Sequence, residues 1–416
     1  MDNKRLRFNK EYFGYLVGYP SGDIFLARAT AEAALMNGAS IEVLKPFFLD
    51  TLEVKRGFHL RTPPLIWLEI TKRCNLRCPH CYIDGGLPRE SEMSDSEVHD
   101  VIDDLADMGV WAVAFTGGEP TLRPSFKDFV VHAHNRGLLI GIATNGMFLT
   151  ESLLDTLPRE GVIISVSWDD LHVGEAHTQT EFALATKAIL LSQKMGFLTN
   201  IMTNTHRGNI DNLGRLMDWA EGHDVSVRSV PFSPLGRGKH YPFLENTIND
   251  VDKAAQFWLR ECLFEHKYHQ KAGLCVGSIF NYGLTLGYMT RRCSSGRYLA
   301  YISADGTVYP CTMCAGEKIL SPGNVRNVGF QALWNSHWMI RDYNWDSFES
   351  TCKGCPVNEG QYYCASRCPA MSHARHGSYF KCGASHFEKR STIVRTGMLQ
   401  RTPTGQGSGL PLVEGN

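Results

Sequence analysis

Between residues 65 and about 234 the apolar positions repeat one alternation. Strand-like runs at Leu65–Ile70, Val110–Phe115, Leu138–Ala143, Val162–Ser167, Phe197–Thr203 and Val225–Val230 are separated by stretches with helical spacing. The first helix is well marked: Ser94 and Glu97 stand at capping-box spacing ahead of the periodic Val98, Ile102, Leu105 and Met108. Six strands alternating with helices predict an α/β fold, a parallel sheet wound as an incomplete barrel. Upstream, Phe13–Val17, a turn at Pro20–Asp23 and Ile24–Ala27 predict a hairpin. A short helix over Thr30–Asn37 follows, with Thr30 as N-cap and Gly38 as C-cap.

Downstream the pattern changes twice. Residues 241–292 read as a helical connector with Trp258, Leu259, Leu263 and Phe264 on one face. From 293 the strand and helix signals weaken while cysteines accumulate, so this part must draw stability from metal. The segment beginning Arg401-Thr-Pro-Thr-Gly-Gln-Gly-Ser-Gly reads as a flexible tail. The organisation is therefore 1–60 as a hairpin-helix cap, 61–240 as the barrel, 241–292 as the connector, 293–390 as a Cys-rich domain and 391–416 as tail.

At 416 residues the chain has room for two or three domains, and 43% hydrophobic with 20% charged residues describes an ordinary globular protein. A formal net charge of −1 gives no global field, so nothing argues for nucleic acid or acidic lipid as a partner. The amino terminus has no apolar run of signal-peptide length and no window suits a spanning helix, so the reading is a cytoplasmic protein with no membrane partner. Thirteen cysteines in such a chain read as reduced metal ligands rather than disulfides, and their grouping agrees: three close together, then ten between Cys262 and Cys382.

The first group is Cys74-Asn-Leu-Arg-Cys78-Pro-His-Cys81, just past the end of the first strand. A [4Fe–4S] cluster takes four ligands. A compact three-Cys loop supplies one too few and leaves a corner for a substrate or cofactor. Zinc and a ferredoxin-type cluster are the alternatives for three cysteines alone. Polar motifs end the next strands: Thr116-Gly-Gly-Glu-Pro120, Ala143-Thr-Asn-Gly146 and Ser165-Val-Ser-Trp-Asp169.

In this order the triplet and these motifs resemble the radical S-adenosylmethionine (SAM) superfamily. The resemblance implies a partial (β/α)6 TIM-like barrel, with Cys74, Cys78 and Cys81 as iron ligands and SAM chelating the fourth iron. It further implies reductive cleavage of SAM to a 5′-deoxyadenosyl radical. His80 would lie against the adenine; Gly117 and Gly118 would let backbone approach the ligand; Glu119 would accept from the SAM amino group. Thr144, Asn145, Ser167 and Asp169 would contact the ribose and carboxylate, or merely cap strand ends. Arg237, in Pro234-Leu-Gly-Arg-Gly238, would pair with the SAM carboxylate or belong to a surface turn.

The second group runs Cys293-x12-Gly306-x4-Cys311, then Cys352-x2-Cys355-x8-Cys364-x3-Cys368, then Cys382. It resembles the SPASM domain, an extension holding two auxiliary iron–sulfur clusters, expected as [4Fe–4S]. By position, one cluster takes Cys293, Cys311 and Cys368, and the other Cys352, Cys355, Cys364 and Cys382. The expected fourth ligand of the first is Cys275, with Cys314 and Cys262 as competitors and an open site as a further option. The eight-residue gap before Cys364 exceeds the family's usual length, and Cys352, Cys355, Cys364 and Cys368 alone would also suit zinc.

The combined resemblance implies hydrogen abstraction from a ribosomally made peptide, giving a crosslink, thioether, epimer or excision. It also implies an external donor of flavodoxin or ferredoxin type. A separate leader-peptide-binding protein stays open. The amino-terminal hairpin resembles part of a small winged-helix-like module that binds leader peptides, though shorter, and a simple lid fits it equally. A small-molecule or tetrapyrrole substrate is the alternative, and a non-enzymatic electron carrier a more distant one.

Overall fold

The computed structural model describes residues 7–12, 14–18, 24–49, 57–89, 91–169, 179–272, 293–342, 355, 368–379, 381–382, 384–385, 388–391 and 394. Six parallel strands, β5 (Leu65–Glu69), β6 (Ala112–Thr116), β7 (Leu139–Thr144), β8 (Val162–Ser167), β9 (Leu198–Thr205) and β10 (Ser226–Pro231), lie side by side in chain order. The helices between them are α3 (Asp95–Asp107), α4 (Phe126–Asn135), α5 (Glu151–Asp155), α6 (Gln179–Lys194) and α7 (Leu213–Gly222). Alternate residues of each strand take opposite faces. Ile66, Leu68, Val113, Phe115, Ile140, Ile142, Ile164 and Val166 join the helices in the main core. Leu65, Ala112, Ala114, Leu139 and Ile163 face the other way. The capping box forms as read: Ser94 N–H donates to Glu97 at 2.7 Å and Glu97 N–H donates to Ser94 Oγ at 3.3 Å.

The six-strand sheet does not stop at β5. β11 (Leu299–Ile302) pairs parallel to β5, and β12 (Thr307–Tyr309) and β13 (Gly323–Asn324) follow antiparallel, making nine strands. The Cys-rich portion thus begins as an extension of the barrel sheet. Its hairpin turns at Gly306, φ +81°, where Asp305 accepts the Thr307 N–H at 3.0 Å. Glu69 sits at the seam, fully buried. Its carboxylate accepts from Tyr301 Oη at 2.6 Å and Ala304 N–H at 3.0 Å, and pairs with Lys72 Nζ at 2.8 Å. Further out, α9 (Phe330–Asn335) is tied back by Trp334 Nε1 donating to Leu60 O at 2.8 Å. α10 (Met339–Asp342) and α11 (Pro369–His376) complete the described elements of this portion.

The amino-terminal part is more than a hairpin. β1 (Arg7–Glu11), β2 (Gly14–Gly18), β3 (Ile24–Arg28) and β4 (Phe48–Leu49) form an antiparallel sheet in that order, with α1 (Glu32–Met36) and α2 (Ile41–Leu44) between β3 and β4. Thr30 is not an N-cap: it lies inside a 3-10 turn, Ala29–Ala31, and the α1 N-cap is Ala31 without a side-chain bond. Gly38, φ +64°, does close the helix, with its N–H donating to Leu35 O at 3.0 Å. Leu16 and Leu26 pack into the cluster on the barrel strands' second face, and Trp111 Nε1 donates to Asn9 at 3.0 Å, so this sheet is docked on the barrel.

The connector's long helix, α8 (Val251–Ala272), packs on β10 through Val251, Ala254 and Phe257. Trp258 and Leu259 are only half-buried, so the face read from sequence is rotated from the observed one, though Phe264 still touches the core. No helix among the described residues is long and apolar enough to cross a membrane.

Two predictions follow from the seams. Glu69→Gln leaves Lys72 buried without its charge partner and should lower stability by about 3 kcal/mol, read by chemical unfolding. Glu11 is buried, and desolvation raises its pKa from 4.5 to about 7. The folded state therefore holds that proton more tightly than the unfolded chain. Glu11's contribution to stability is fullest below about pH 4.5 and is lost as pH rises toward and past 7, by about 3 kcal/mol. Glu11→Gln should flatten this window in a pH series of unfolding midpoints.

Candidate active site

The Cys loop leaves β5 and is closed from within by its own backbone. Cys74 N–H donates to Gly86 O at 2.7 Å, and Gly86 N–H donates to Lys72 O at 2.8 Å. Glu92 holds the loop's base, accepting from Lys72 N–H at 2.7 Å and Thr71 Oγ1 at 3.0 Å. The loop after β6 fits against it: Gly118 N–H donates to Thr71 O at 2.8 Å and Glu119 N–H to Arg73 O at 2.7 Å. A Cβ on Gly117 would stand 2.4 Å from Thr71 O, and one on Gly118 would stand 2.3 Å from Arg73 O. The close approach these glycines permit is therefore to the Cys-loop backbone.

Arg237 closes the loop from the far side. Its guanidinium donates to Cys78 O at 3.0 Å and Gly85 O at 2.6 Å and pairs with Asp84 at 2.8 Å, while its backbone N–H donates to Cys81 O at 2.9 Å. Arg237 thus pairs with a carboxylate of the chain itself, Asp84. The neighbouring Gly236, φ +52°, abuts Tyr82 O, which a Cβ would meet at 2.3 Å.

Glu119 is fully buried and its carboxylate faces strand ends. It accepts from Thr121 N–H at 3.1 Å, Thr121 Oγ1 at 2.5 Å, Thr144 Oγ1 at 2.7 Å and Asn145 N–H at 2.7 Å. Burial pushes its pKa up, and those hydrogen bonds oppose the rise. Asn145 reaches the Cys motif, donating through Nδ2 to Asn75 at 2.8 Å. Ser167 ends β8, half-buried. Asp169, two residues on, accepts from Asn204 N–H at 2.7 Å and pairs with His80 Nε2 at 3.1 Å, and His80 stacks 6.0 Å from His206. All the residues expected from the first motif set therefore converge at the carboxyl ends of β5–β8 and beside β10.

Asn75, Glu92 and His206 were not anticipated. Asn75 stands inside the Cys motif and could have been marked by that alone; the other two have no signal in the sequence.

The three thiols could hold three corners of a cluster. Leu76 N–H points at Cys74 Sγ and Gly85 N–H at Cys81 Sγ, each at 3.4 Å, donors suited to thiolates. Burial pushes the Cys74 and Cys78 thiols up, with the Asp169 carboxylate adding to the rise at Cys78, so thiolates here need a cationic partner. Among the described residues no three ligating side chains are gathered as one metal ion requires. The thiolates of a cubane each bind a different iron and stand further apart.

In the carboxy-terminal portion, Cys311 and Cys314 stand with sulfurs 3.7 Å apart. Cys368 packs in the same cluster, and Cys293 Sγ donates to Ser295 Oγ at 3.3 Å. Cys355 and Cys382 are half-buried. Cys275, Cys352 and Cys364 lie outside the described residues.

Residues 68–220 match the radical SAM superfamily, and residues 293–356 match the SPASM iron–sulfur cluster-binding domain. The chain belongs to the radical SAM superfamily and carries a SPASM domain. As a radical SAM enzyme it takes SAM and a [4Fe–4S] cluster, with auxiliary iron–sulfur clusters in the SPASM portion. It is 26% identical to mycofactocin maturase MftC of Mycolicibacterium smegmatis over 73% of this chain and 77% of that one. It is 27% identical to the AdoMet-dependent heme synthase of Methanosarcina barkeri over 77% and 95% respectively. In fold it is similar to Streptococcus suis SuiB bound to S-adenosylmethionine, with TM-score 0.63, 14% identity, and 92% and 98% of the two chains covered.

For this radical SAM chain, Arg237→Lys replaces a fork that spans two carbonyls by a single point donor. It should lower the iron retained at the Cys74 loop by several-fold while leaving the carboxy-terminal iron in place, as read by iron analysis and EPR of the reduced protein.

Proposed function

We propose that this enzyme holds its SAM cluster on Cys74, Cys78 and Cys81 and abstracts hydrogen from a ribosomally synthesised peptide, as a step in that peptide's modification. A cluster held on Cys74, Cys78 and Cys81 would supply the electron, drawn from an external donor, for reductive cleavage of SAM and so the hydrogen-abstracting chemistry. The chain's part is positional. Arg237 and the Gly117–Gly118 backbone fix the Cys loop, so the open corner has one orientation. His80, Asp169, Thr144 and Asn145 line the neighbouring strand ends, where SAM would lie. Held inward by its hydrogen bonds, Glu119 would act on SAM chiefly by ordering Thr144 and Asn145.

The observation that carries the peptide reading is the amino-terminal antiparallel sheet docked on the barrel. Among the described residues its order leaves β1 and β4 as edges, where an extended peptide can add a strand through main-chain hydrogen bonds. Relatives named PqqA peptide cyclase and mycofactocin maturase support it, as does SuiB, whose structure bound to the precursor peptide SuiA aligns over 92% of this chain. A tetrapyrrole or other small-molecule substrate is the second reading, favoured by the heme synthase relative matched over 95% of its length.

Candidate precursor peptides carrying deuterium at side-chain and α positions decide between them. Transfer of deuterium into 5′-deoxyadenosine with a mass change in the peptide is the expected result. Absence of transfer from any peptide, with transfer from a labelled porphyrin precursor, would overturn it.

A further inference from the structure

The Cys-rich portion reaches the Cys loop by two routes, and both end on Lys72. The first starts at Tyr301, which lies on β11 and is fully buried. Its phenol donates to Glu69 Oε2 at 2.6 Å, and the Ala304 N–H, in the turn between β11 and β12, donates to the same oxygen at 3.0 Å. The other carboxylate oxygen, Oε1, pairs with Lys72 Nζ at 2.8 Å, so both oxygens are engaged. The second route starts at Arg326, just past β13, whose guanidinium donates to Ser91 O at 2.8 Å and Glu92 O at 2.9 Å. The Glu92 carboxylate then accepts the Lys72 N–H at 2.7 Å.

Lys72 is buried and clasps the two ends of the loop. It stands two residues before Cys74, and its ammonium donates to the carbonyl of Ile83, two residues after Cys81, at 3.4 Å. Its own carbonyl accepts the Gly86 N–H at 2.8 Å, and Gly86 O accepts the Cys74 N–H at 2.7 Å. A buried ammonium follows its carboxylate, because separation would strand both charges away from water. Glu69 therefore places Lys72, and Tyr301 places Glu69.

From this chain of contacts we infer that Tyr301 is a positioning residue for the SAM cluster, acting from the Cys-rich portion through Glu69 and Lys72. The inference rests on the reading that Cys74, Cys78 and Cys81 hold that cluster, and it needs no assignment of the carboxy-terminal cysteines or of the substrate. The phenol fixes the clasp, and the clasp fixes the entry and exit of the loop that carries the three thiols. The Cys-rich portion thus supports the SAM site through its hydrogen bonds, in addition to whatever its own iron does.

The test uses the full chain, reconstituted anaerobically, as the parent, Tyr301→Phe, Lys72→Met, the double variant and Trp334→Phe. Trp334→Phe removes a different tie between the Cys-rich portion and the barrel, the bond from Trp334 Nε1 to Leu60 O, which does not lead to Lys72. SAM affinity is measured on the oxidised protein, and the change that SAM induces in the EPR signal is recorded after reduction. Tyr301→Phe is expected to bind SAM several-fold more weakly and to alter the SAM-induced signal, with total iron and the carboxy-terminal signals unchanged. Trp334→Phe is expected to bind SAM as the parent does. The double variant is expected to match Lys72→Met, because the tyrosine acts through the lysine. Where the Lys72 variants do not load iron, the contrast between Tyr301→Phe and Trp334→Phe decides alone. Parental SAM affinity in Tyr301→Phe, an equal loss in Trp334→Phe, or a full further loss from Tyr301→Phe in the Lys72→Met background overturns the inference. No SAM-induced signal in the fully loaded parent overturns the SAM-cluster assignment, and this inference with it.

Discussion

The site depends on closing a loop whose purpose is to stay open at one corner. Residues 74–86 carry three thiols, of which burial pushes Cys74 and Cys78 toward the protonated form, and the loop has no regular secondary structure to hold them. Backbone polar groups in such a loop must find partners or pay a desolvation cost. Here they find them in the Cys74–Gly86 pair, in the Thr71 and Arg73 carbonyls taken by Gly118 and Glu119, and in the Cys78 and Gly85 carbonyls taken by Arg237. The loop is thereby bound to β6 on one side and to the turn after β10 on the other. That spans the described barrel from its first connection to its last.

The same logic extends to the residues expected to meet SAM. Glu119, expected to accept from SAM, and Thr144 and Asn145, expected as SAM contacts or strand-end caps, each also hydrogen-bond a neighbour in the chain. Arg237, expected to pair with the SAM carboxylate or to belong to a surface turn, pairs with Asp84 within the chain. A sequence motif records that a residue type is required at a place; it does not distinguish touching the ligand from holding what touches it. Preorganisation is the physical reason for the second role, since reacting groups held in one geometry need no further ordering during reaction.

Strand positions in the barrel were legible to within two residues at each end, because both faces of β5–β9 are buried and their runs are nearly continuous. The capping box at Ser94 was legible because its partners are local. What escaped depends on distant pairing. β11 extends the barrel sheet beside β5, more than 200 residues away in sequence, and no local pattern encodes that register. Glu69 could have been noticed as a lone charge in an apolar run, yet its partners Tyr301 and Ala304 belong to the other end of the chain. Thr30 failed as a cap because a preceding 3-10 turn had already set the helix entry at Ala31.

The central claim is that Cys74, Cys78 and Cys81 carry a cluster whose open corner serves SAM. Its most direct test is anaerobic reconstitution, followed by dithionite and SAM, with 5′-deoxyadenosine measured for the intact chain and for Cys74/Cys78/Cys81→Ala. The account predicts about twelve iron per chain and 5′-deoxyadenosine from the intact protein, and about four iron fewer with no product in the variant. Undiminished iron in the variant, or no cleavage by the intact, fully loaded protein, would contradict it.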